Sequence, residues 1–203
     1  MIIFDVGAND GKTFYNHVFD TNNKIFAFEP TKELIDSIKT WSFNFPNYFL
    51  IECAVGESEG IFDLNVAGHH DWGCTSLLEF NEGLDKTWPG RDDFFVSHVQ
   101  KNTKVIRLDS FIKENKDIKC IDYLHIDTQG TDLQVLKSLG EYINIVKEGC
   151  MESSVDTNVS LYKNQHTAKD CFEFLEKNNF YVTNVIPNDK FSNEVNIYFK
   201  NNI

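Results

Sequence analysis

No stretch of this sequence approaches the ~20 consecutive apolar residues that a membrane-spanning helix needs. It has no internal repeat, no low-complexity linker, and no basic segment leading into an apolar run at its start, so no secretory signal is expected. It also lacks any C-x-x-C pair. The five cysteines, at positions 53, 74, 120, 150 and 171, offer no zinc-ligand spacing, and an odd number closes no disulfide framework. They are expected to be reduced and mostly buried. Positive charge is short: 19 Lys and Arg face 31 Asp and Glu, for a net charge of -12. A field of that sign repels nucleic acid and anionic membrane surfaces, so neither is expected as a partner. A neutral acceptor such as a sugar is compatible with it. These absences predict a soluble protein of a reducing, cytoplasmic compartment.

What is present suits one folded core. A chain of 203 residues fits a single domain, and 41% hydrophobic with 25% charged residues is an ordinary globular balance. Eighteen Phe predict a core rich in rings. Residues 1–203 are expected to form one domain, standing alone or as part of a longer protein. Strands are predicted at Ile2–Val6, Lys24–Phe28, Tyr48–Ile51, 61–66, 104–108, Ile121–Ile126, within 143–151, and at 180–185 and 195–199. Helices are predicted at 12–19, 32–41, 109–114, 133–139 and 168–178. Strands alternating with helices imply an α/β, Rossmann-like, doubly wound and mostly parallel sheet. The last two strands have no helix between them and are expected to pair antiparallel at one edge. Residues 67–90 hold four glycines (68, 73, 83 and 90) and Pro89 together with His69, His70, Trp72 and Trp88. Such a long irregular stretch is expected to be a functional loop or lid, its tryptophans free to stack on a sugar.

Chemistry concentrates at strand ends. Asp5-Val6-Gly7-Ala8-Asn9-Asp10-Gly11 follows the first strand. Its glycines let the backbone approach a ligand, and the expected helix behind it would offer free N–H groups. Glu29 ends the second strand, 22 residues beyond Gly7, and Pro30 follows. An acid placed there can accept both hydroxyls of a ribose. The two features together predict an adenosine-like cofactor. The glycine spacing D-x-G-x-x-x-G is not the dinucleotide fingerprint, and Asp5 and Asp10 would repel a pyrophosphate. They suit a cationic amine and sulfonium, so Asp5 or Asp10 is expected to hold the amino-acid end of the cofactor.

The runs FDVGANDGKTF, FAFEP, ECAVGESEG, RLDSF and YLHIDTQGTDLQVLKSLG resemble, in order and spacing, the FkbM family of class I methyltransferases over nearly the whole chain. The resemblance implies the class I methyltransferase fold: a seven-stranded, mostly parallel sheet with an antiparallel last strand. It implies S-adenosyl-L-methionine as cofactor, S-adenosyl-L-homocysteine as product, and O-methylation of small molecules or glycans. By position it implies that Gly7, Ala8 and Asn9 line the methionine part. Glu29, with Pro30 beside it, takes the ribose. Cys53, Ala54 and Val55 flank the adenine, and Asp127 with Gln129 faces the reaction centre. Ser76, in a Ser-Leu pair common in the family, is expected against the cofactor. The family pattern D-x-E-G-x-E departs here to Asp127-Thr128-Gln129-Gly130-Thr131-Asp132. Gln129 weakens any metal-binding or base-tuning role of that acid cluster, and the metal requirement stays open.

Methyl transfer from a sulfonium asks mainly for alignment, but an alcohol must also lose its proton as it attacks. Asp127 and Glu152 end strands at the edge where ligands sit in such sheets. They are the candidate bases, with His69 and His70 of the loop. His125 is expected to point to the face opposite Asp127, in a core or supporting role. The leading expectation is an O-methyltransferase for a sugar hydroxyl of a saccharide or glycan. The alternatives are another small-molecule hydroxyl or carboxylate as acceptor, an NAD-dependent oxidoreductase, and a cofactor-binding module without turnover. Base methylation of nucleic acid is disfavoured, because no Asn/Asp-Pro-Pro-Tyr/Phe segment follows the fourth strand.

Overall fold

The computed structural model describes residues 1–68, 72–90, 96–188 and 190–202. Its strands are β1 (Ile2–Val6), β2 (Lys24–Phe28), β3 (Tyr48–Ile51), β4 (Ala54–Val55), β5 (Gly60–Ala67), β6 (Val96–Ile106), β7 (Ile121–Ile126), β8 (Val146–Ser154), β9 (Phe180–Pro187) and β10 (Glu194–Asn201). Its helices are α1 (Lys32–Ser42), α2 (Leu84–Thr87), α3 (Leu108–Glu114), α4 (Asp132–Lys137) and α5 (Ala168–Lys177).

Seven strands form one sheet in the order β3-β2-β1-β7-β8-β10-β9. β3, β2, β1, β7 and β8 pair in parallel. β10 runs antiparallel between β8 and β9. The strand order reverses between β1 and β7, and in open α/β sheets that switch point opens a crevice at the strands' carboxyl ends. β1 and β2 are near-continuous apolar runs because both of their faces are covered. β10 alternates: Val195, Ile197 and Phe199 are buried, while Asn196 and Tyr198 face the other way.

One face of the sheet packs Phe4, Leu124, Met151 and Phe199 against Leu108, Leu136 and Leu175 of α3, α4 and α5. The ring-rich core is found here, with Phe4, Phe26, Phe28 and Phe111 meeting at centroid distances of 5.1 to 6.0 Å. The other face packs Ile3, Ile25 and Ala27 against Ile38 of α1. Farther along that second face, Tyr123, Cys150 and Tyr198 border an open groove.

Three expectations change. Residues 12–19 do not form an α-helix; only a 3-10 turn at Tyr15–Phe19 is present. Tertiary packing sets the backbone here. Phe14 docks on Tyr123 and His125, and Tyr15 on Trp41 and Phe45. β6 begins at Val96, well before the predicted 104. Its outer half pairs with β5 in a second sheet, β4-β6-β5, but is largely solvated, so it shows no apolar pattern. The described part of 67–90 is substantially packed. Ala67, Cys74 and Trp88 build a third core cluster with Leu161 and Tyr162. Trp88 is 3% exposed and its indole N–H donates to the Val159 carbonyl, so it presents no face to a sugar. Among the described residues no helix is long and apolar enough to cross a membrane.

Candidate active site

The crevice between β1 and β7 is held by backbone contacts that only glycine permits. Gly7 has φ +83°, and a Cβ there would lie 1.8 Å from the Asp127 carbonyl oxygen. The loop after β1 can therefore lie against the loop after β7 only without a side chain. Gly7 and Ala8 both donate their N–H to the Phe28 carbonyl, at 3.0 and 3.1 Å. Glu29, buried at the end of β2, accepts the N–H groups of Asn9 and Thr31, one on each oxygen at 2.8 Å. Each carboxylate oxygen keeps a lone pair for a further donor. Burial, opposed by these hydrogen bonds, pushes the Glu29 carboxyl up to about 7.

A partly open cavity begins at this point. Gly7 and Asn9 line it from β1, Glu29 and Pro30 from β2, and Cys53, Ala54 and Val55 from the segment after β3. Ser76 closes one side, and Asp127 with Gln129 forms the end wall. Leu34, Leu64 and Leu77 add apolar surface that the sequence reading missed; only Leu77, partner of Ser76 in the Ser-Leu pair, carried a signal.

The other four residues expected at the cofactor are placed elsewhere. Ala8 is buried in the core under α1. Gly11 bonds to Ala8 and packs on Tyr48 and Trp41. Asp10 is exposed and pairs with Lys12 at 3.3 Å. The side chain of Asp5 is fully buried and turns to His125. Neither Asp5 nor Asp10 lines the cavity, so the expectation that one of them grips the amino-acid end has no support in its walls.

Gln129 organises the acid cluster. Its backbone is left-handed, at φ +55°, and its amide nitrogen donates to Asp127 at 2.7 Å and Glu152 at 3.0 Å. Its amide oxygen accepts from the Tyr162 hydroxyl at 2.8 Å. Ser76 Oγ donates to its backbone carbonyl at 2.6 Å. Asn188 donates to the other oxygen of Glu152. Asp132 accepts the N–H of Glu152 at 3.3 Å. Burial, reinforced by the charge of Asp127, pushes the Asp132 carboxyl up to about 8. Burial likewise raises Asp127, and it raises Glu152 well above the usual carboxylate range. Concentrated, buried acid of this kind favours a cation nearby, which fits an ammonium and a sulfonium. Among the described residues, no three His, Cys, Asp or Glu are arranged to hold a metal ion.

His125 corrects the sequence reading. Residues two apart on a strand share a face, and His125 and Asp127 line the same groove. His125 Nδ1 donates to Asp5 Oδ1 at 2.8 Å. Asp127 belongs to the walls of both the cavity and the groove. Glu152 sits beside Gln129, 4% exposed. His69 and His70 lie outside the described residues, as does the side chain of Trp72.

Fibrillarin from Aeropyrum pernix, crystallised with natively bound S-adenosyl-L-methionine, has a similar fold. Its TM-score is 0.53 at 12% identity, over 98% of this chain and 65% of that one. A chain of a fibrillarin/Nop5p complex is similar too, with a TM-score of 0.51 at 12% identity, over 98% of this chain and 72% of that one. The chain thus spans about two thirds of the length of the first, and at such identity the likeness is one of fold. No curated protein sequence matches it. Residues 5–181 match the methyltransferase FkbM domain, so the chain belongs to that family, whose cofactor is S-adenosylmethionine.

Proposed function

We propose that this protein transfers a methyl group from S-adenosylmethionine to a hydroxyl oxygen of a saccharide or glycan. One observation carries the reading: Asp127 forms part of two adjoining cavities at the carboxyl end of β7. The first has the features an adenosine cofactor needs, with Glu29 for the ribose and Cys53–Val55 for the adenine. The second is bordered by neutral hydrogen-bonding groups and aromatic rings, which suit a polyhydroxylated acceptor. The acid around Asp127, Asp132 and Glu152 disfavours a carboxylate or phosphate-bearing acceptor. The five free thiols fit a reducing, cytoplasmic setting.

S-adenosylmethionine supplies an electrophilic methyl on a sulfonium, a good leaving group. The chain's part is to align and to hold charge. Glu29 accepts from the ribose hydroxyls. Asp127, which lines the cavity, faces the positive charge and stabilises it, while Glu152 lines neither cavity and helps hold the shared Gln129 amide in place. Ser76 fixes the Gln129 backbone, so that the amide and both carboxylates keep their places. Calorimetry with S-adenosylmethionine, S-adenosylhomocysteine and NAD tests the cofactor. A panel of saccharides, hydroxy acids and carboxylic acids, read by the mass gain of one methylene, tests the acceptor. Methylation of the acids alone would replace the sugar reading.

A further inference from the structure

We infer that the groove on the second face of β7, β8 and β10 is the acceptor site, and that His125, oriented by Asp5, takes the proton of the acceptor hydroxyl. This rests on the O-methyltransferase reading above. The groove meets the cofactor cavity at Asp127 and extends over the sheet to Tyr123 and Tyr198. Phe14, Tyr123 and Tyr198 offer ring faces, and Thr13, Asn188 and Asn196 offer uncharged donors and acceptors. Among the described residues, no Lys or Arg lines it. A pyranose presents the matching surfaces, an apolar ring face and a rim of hydroxyls.

The geometry of His125 is that of a base. Asp5 is 0% exposed, and among the described residues its second oxygen has no hydrogen-bond partner. A fully buried carboxylate needs a charged or donating partner, and His125 Nδ1 is that partner at 2.8 Å. The bond places the proton on Nδ1 and leaves the Nε2 lone pair as the available one. The edge of Phe14, with centroids 5.7 Å apart, steadies the ring, and the side chain keeps 21% exposure toward the groove. Asp127, the competing base, already has one oxygen bound by Gln129.

The groups acting on the imidazole come from every neighbouring element. Asp5 lies on β1, Asp127 ends β7, and Asp132 opens α4, while Tyr123, Cys150 and Tyr198 border it from β7, β8 and β10. Burial pulls its pKa down, and the Asp5 hydrogen bond with the three carboxylate charges outweighs that and raises it. In the transfer, the acceptor O–H bond breaks and its proton passes to Nε2. The oxygen forms the new bond to the methyl carbon. The electron pair of the broken carbon–sulfur bond stays on sulfur. The imidazolium then returns its proton to solvent through the open groove.

The test uses the whole chain with S-adenosylhomocysteine bound. Methyl glycosides of glucose, galactose and mannose are added at millimolar concentration while the His125 ring is followed by NMR. At least one glycoside is expected to shift His125 Nε2 together with Tyr123 and Tyr198. The glycoside that does so serves as acceptor with S-adenosylmethionine. His125→Gln should then lower kcat roughly 10²- to 10⁴-fold with little change in KM and remove the acid limb of the pH profile. Its affinity for S-adenosylhomocysteine should match wild type. No shift in the groove with any glycoside overturns the site. A seated glycoside that is not methylated, or His125→Gln with full turnover and an intact acid limb, overturns the base. A wild-type protein that binds neither S-adenosylmethionine nor S-adenosylhomocysteine fails the earlier reading instead.

Discussion

The backbone N–H of Asn9 donates to Oε2 of Glu29 at 2.8 Å, tying the loop after β1 to the end of β2. Thr31 uses the other oxygen. Glu29 therefore shapes the cavity as well as facing the ribose. Glu29→Ala should weaken S-adenosylmethionine and S-adenosylhomocysteine roughly 10- to 150-fold by calorimetry, the equivalent of about 1.5–3 kcal/mol. It should also lower the melting temperature, because the buried N–H of Thr31 and the part-buried N–H of Asn9 lose their acceptor. Unchanged affinity in a folded variant would remove Glu29 from the ribose.

Trp88 gives a second expectation, opposite to the one its sequence context suggests. Buried against Leu161 and Tyr162 and bonded to Val159, it holds a core cluster together. Trp88→Ala should cost about 3–5 kcal/mol in urea unfolding. Trp88→Phe should recover much of that loss while leaving the Val159 carbonyl unpaired. A Trp88→Ala variant as stable as wild type would mean that the segment is not part of the packed structure.

The reading from sequence succeeded where burial writes itself into the chain. β1, β2, β3 and β7 match residue for residue; β1 and β2, covered on both faces, appear as short apolar runs. It failed where pairing occurs in solvent: the outer half of β6 carries Ser97, His98, Gln100 and Lys101 and advertises nothing. At the site, Gly7 and Glu29 were legible because turn chemistry and an acid at a strand end have local signatures. The orientation of Asp5 was not. Its place in the loop motif suggested a ligand contact, yet the strand's period turns its side chain toward His125, 120 residues away. Gln129 stood out as a departure, but its bridge to Glu152 exists only because β8 lies beside β7.

A third expectation concerns acid. Glu29 and Asp132 are raised to about 7 and about 8, and Asp127 and Glu152 are raised too, with burial the largest cause in each. The folded chain thus holds protons that the unfolded chain has released. This contribution is complete below the unfolded carboxylate values and is lost as pH rises through the folded ones. Without cofactor, the melting temperature should climb between pH 8 and pH 6, by about 2–4 °C for each kcal/mol regained. Asp109 beside Arg107 and Asp122 beside Lys147 are shifted down and act only below about pH 4. A bound ammonium should flatten the slope, so the scan is repeated with S-adenosylhomocysteine. A melting temperature that falls on acidification from pH 8 to 6 contradicts this account.

The last expectation follows from the amide at the centre of the acid cluster. Gln129 gives one N–H to Asp127 and another to Glu152, satisfying two buried carboxylates without adding charge. Gln129→Glu keeps the shape and the acceptor for Tyr162 but removes both donors and adds a fourth carboxyl to Asp127, Asp132 and Glu152. At pH 8 the variant should lose about 1–3 kcal/mol or more, since buried acceptors are left unpaired. At pH 6 a shared proton should replace the lost N–H, and most of the deficit should disappear. A hard divalent cation can do the same work through oxygen ligands. Millimolar Mg²⁺ should therefore raise the melting temperature of Gln129→Glu at pH 8 and leave wild type unmoved, with EDTA reversing the gain. If the variant melts with wild type at pH 8 and ignores the cation, the amide bridge contributes nothing to holding Asp127 and Glu152 together, and their spacing must be set by β7 and β8 alone.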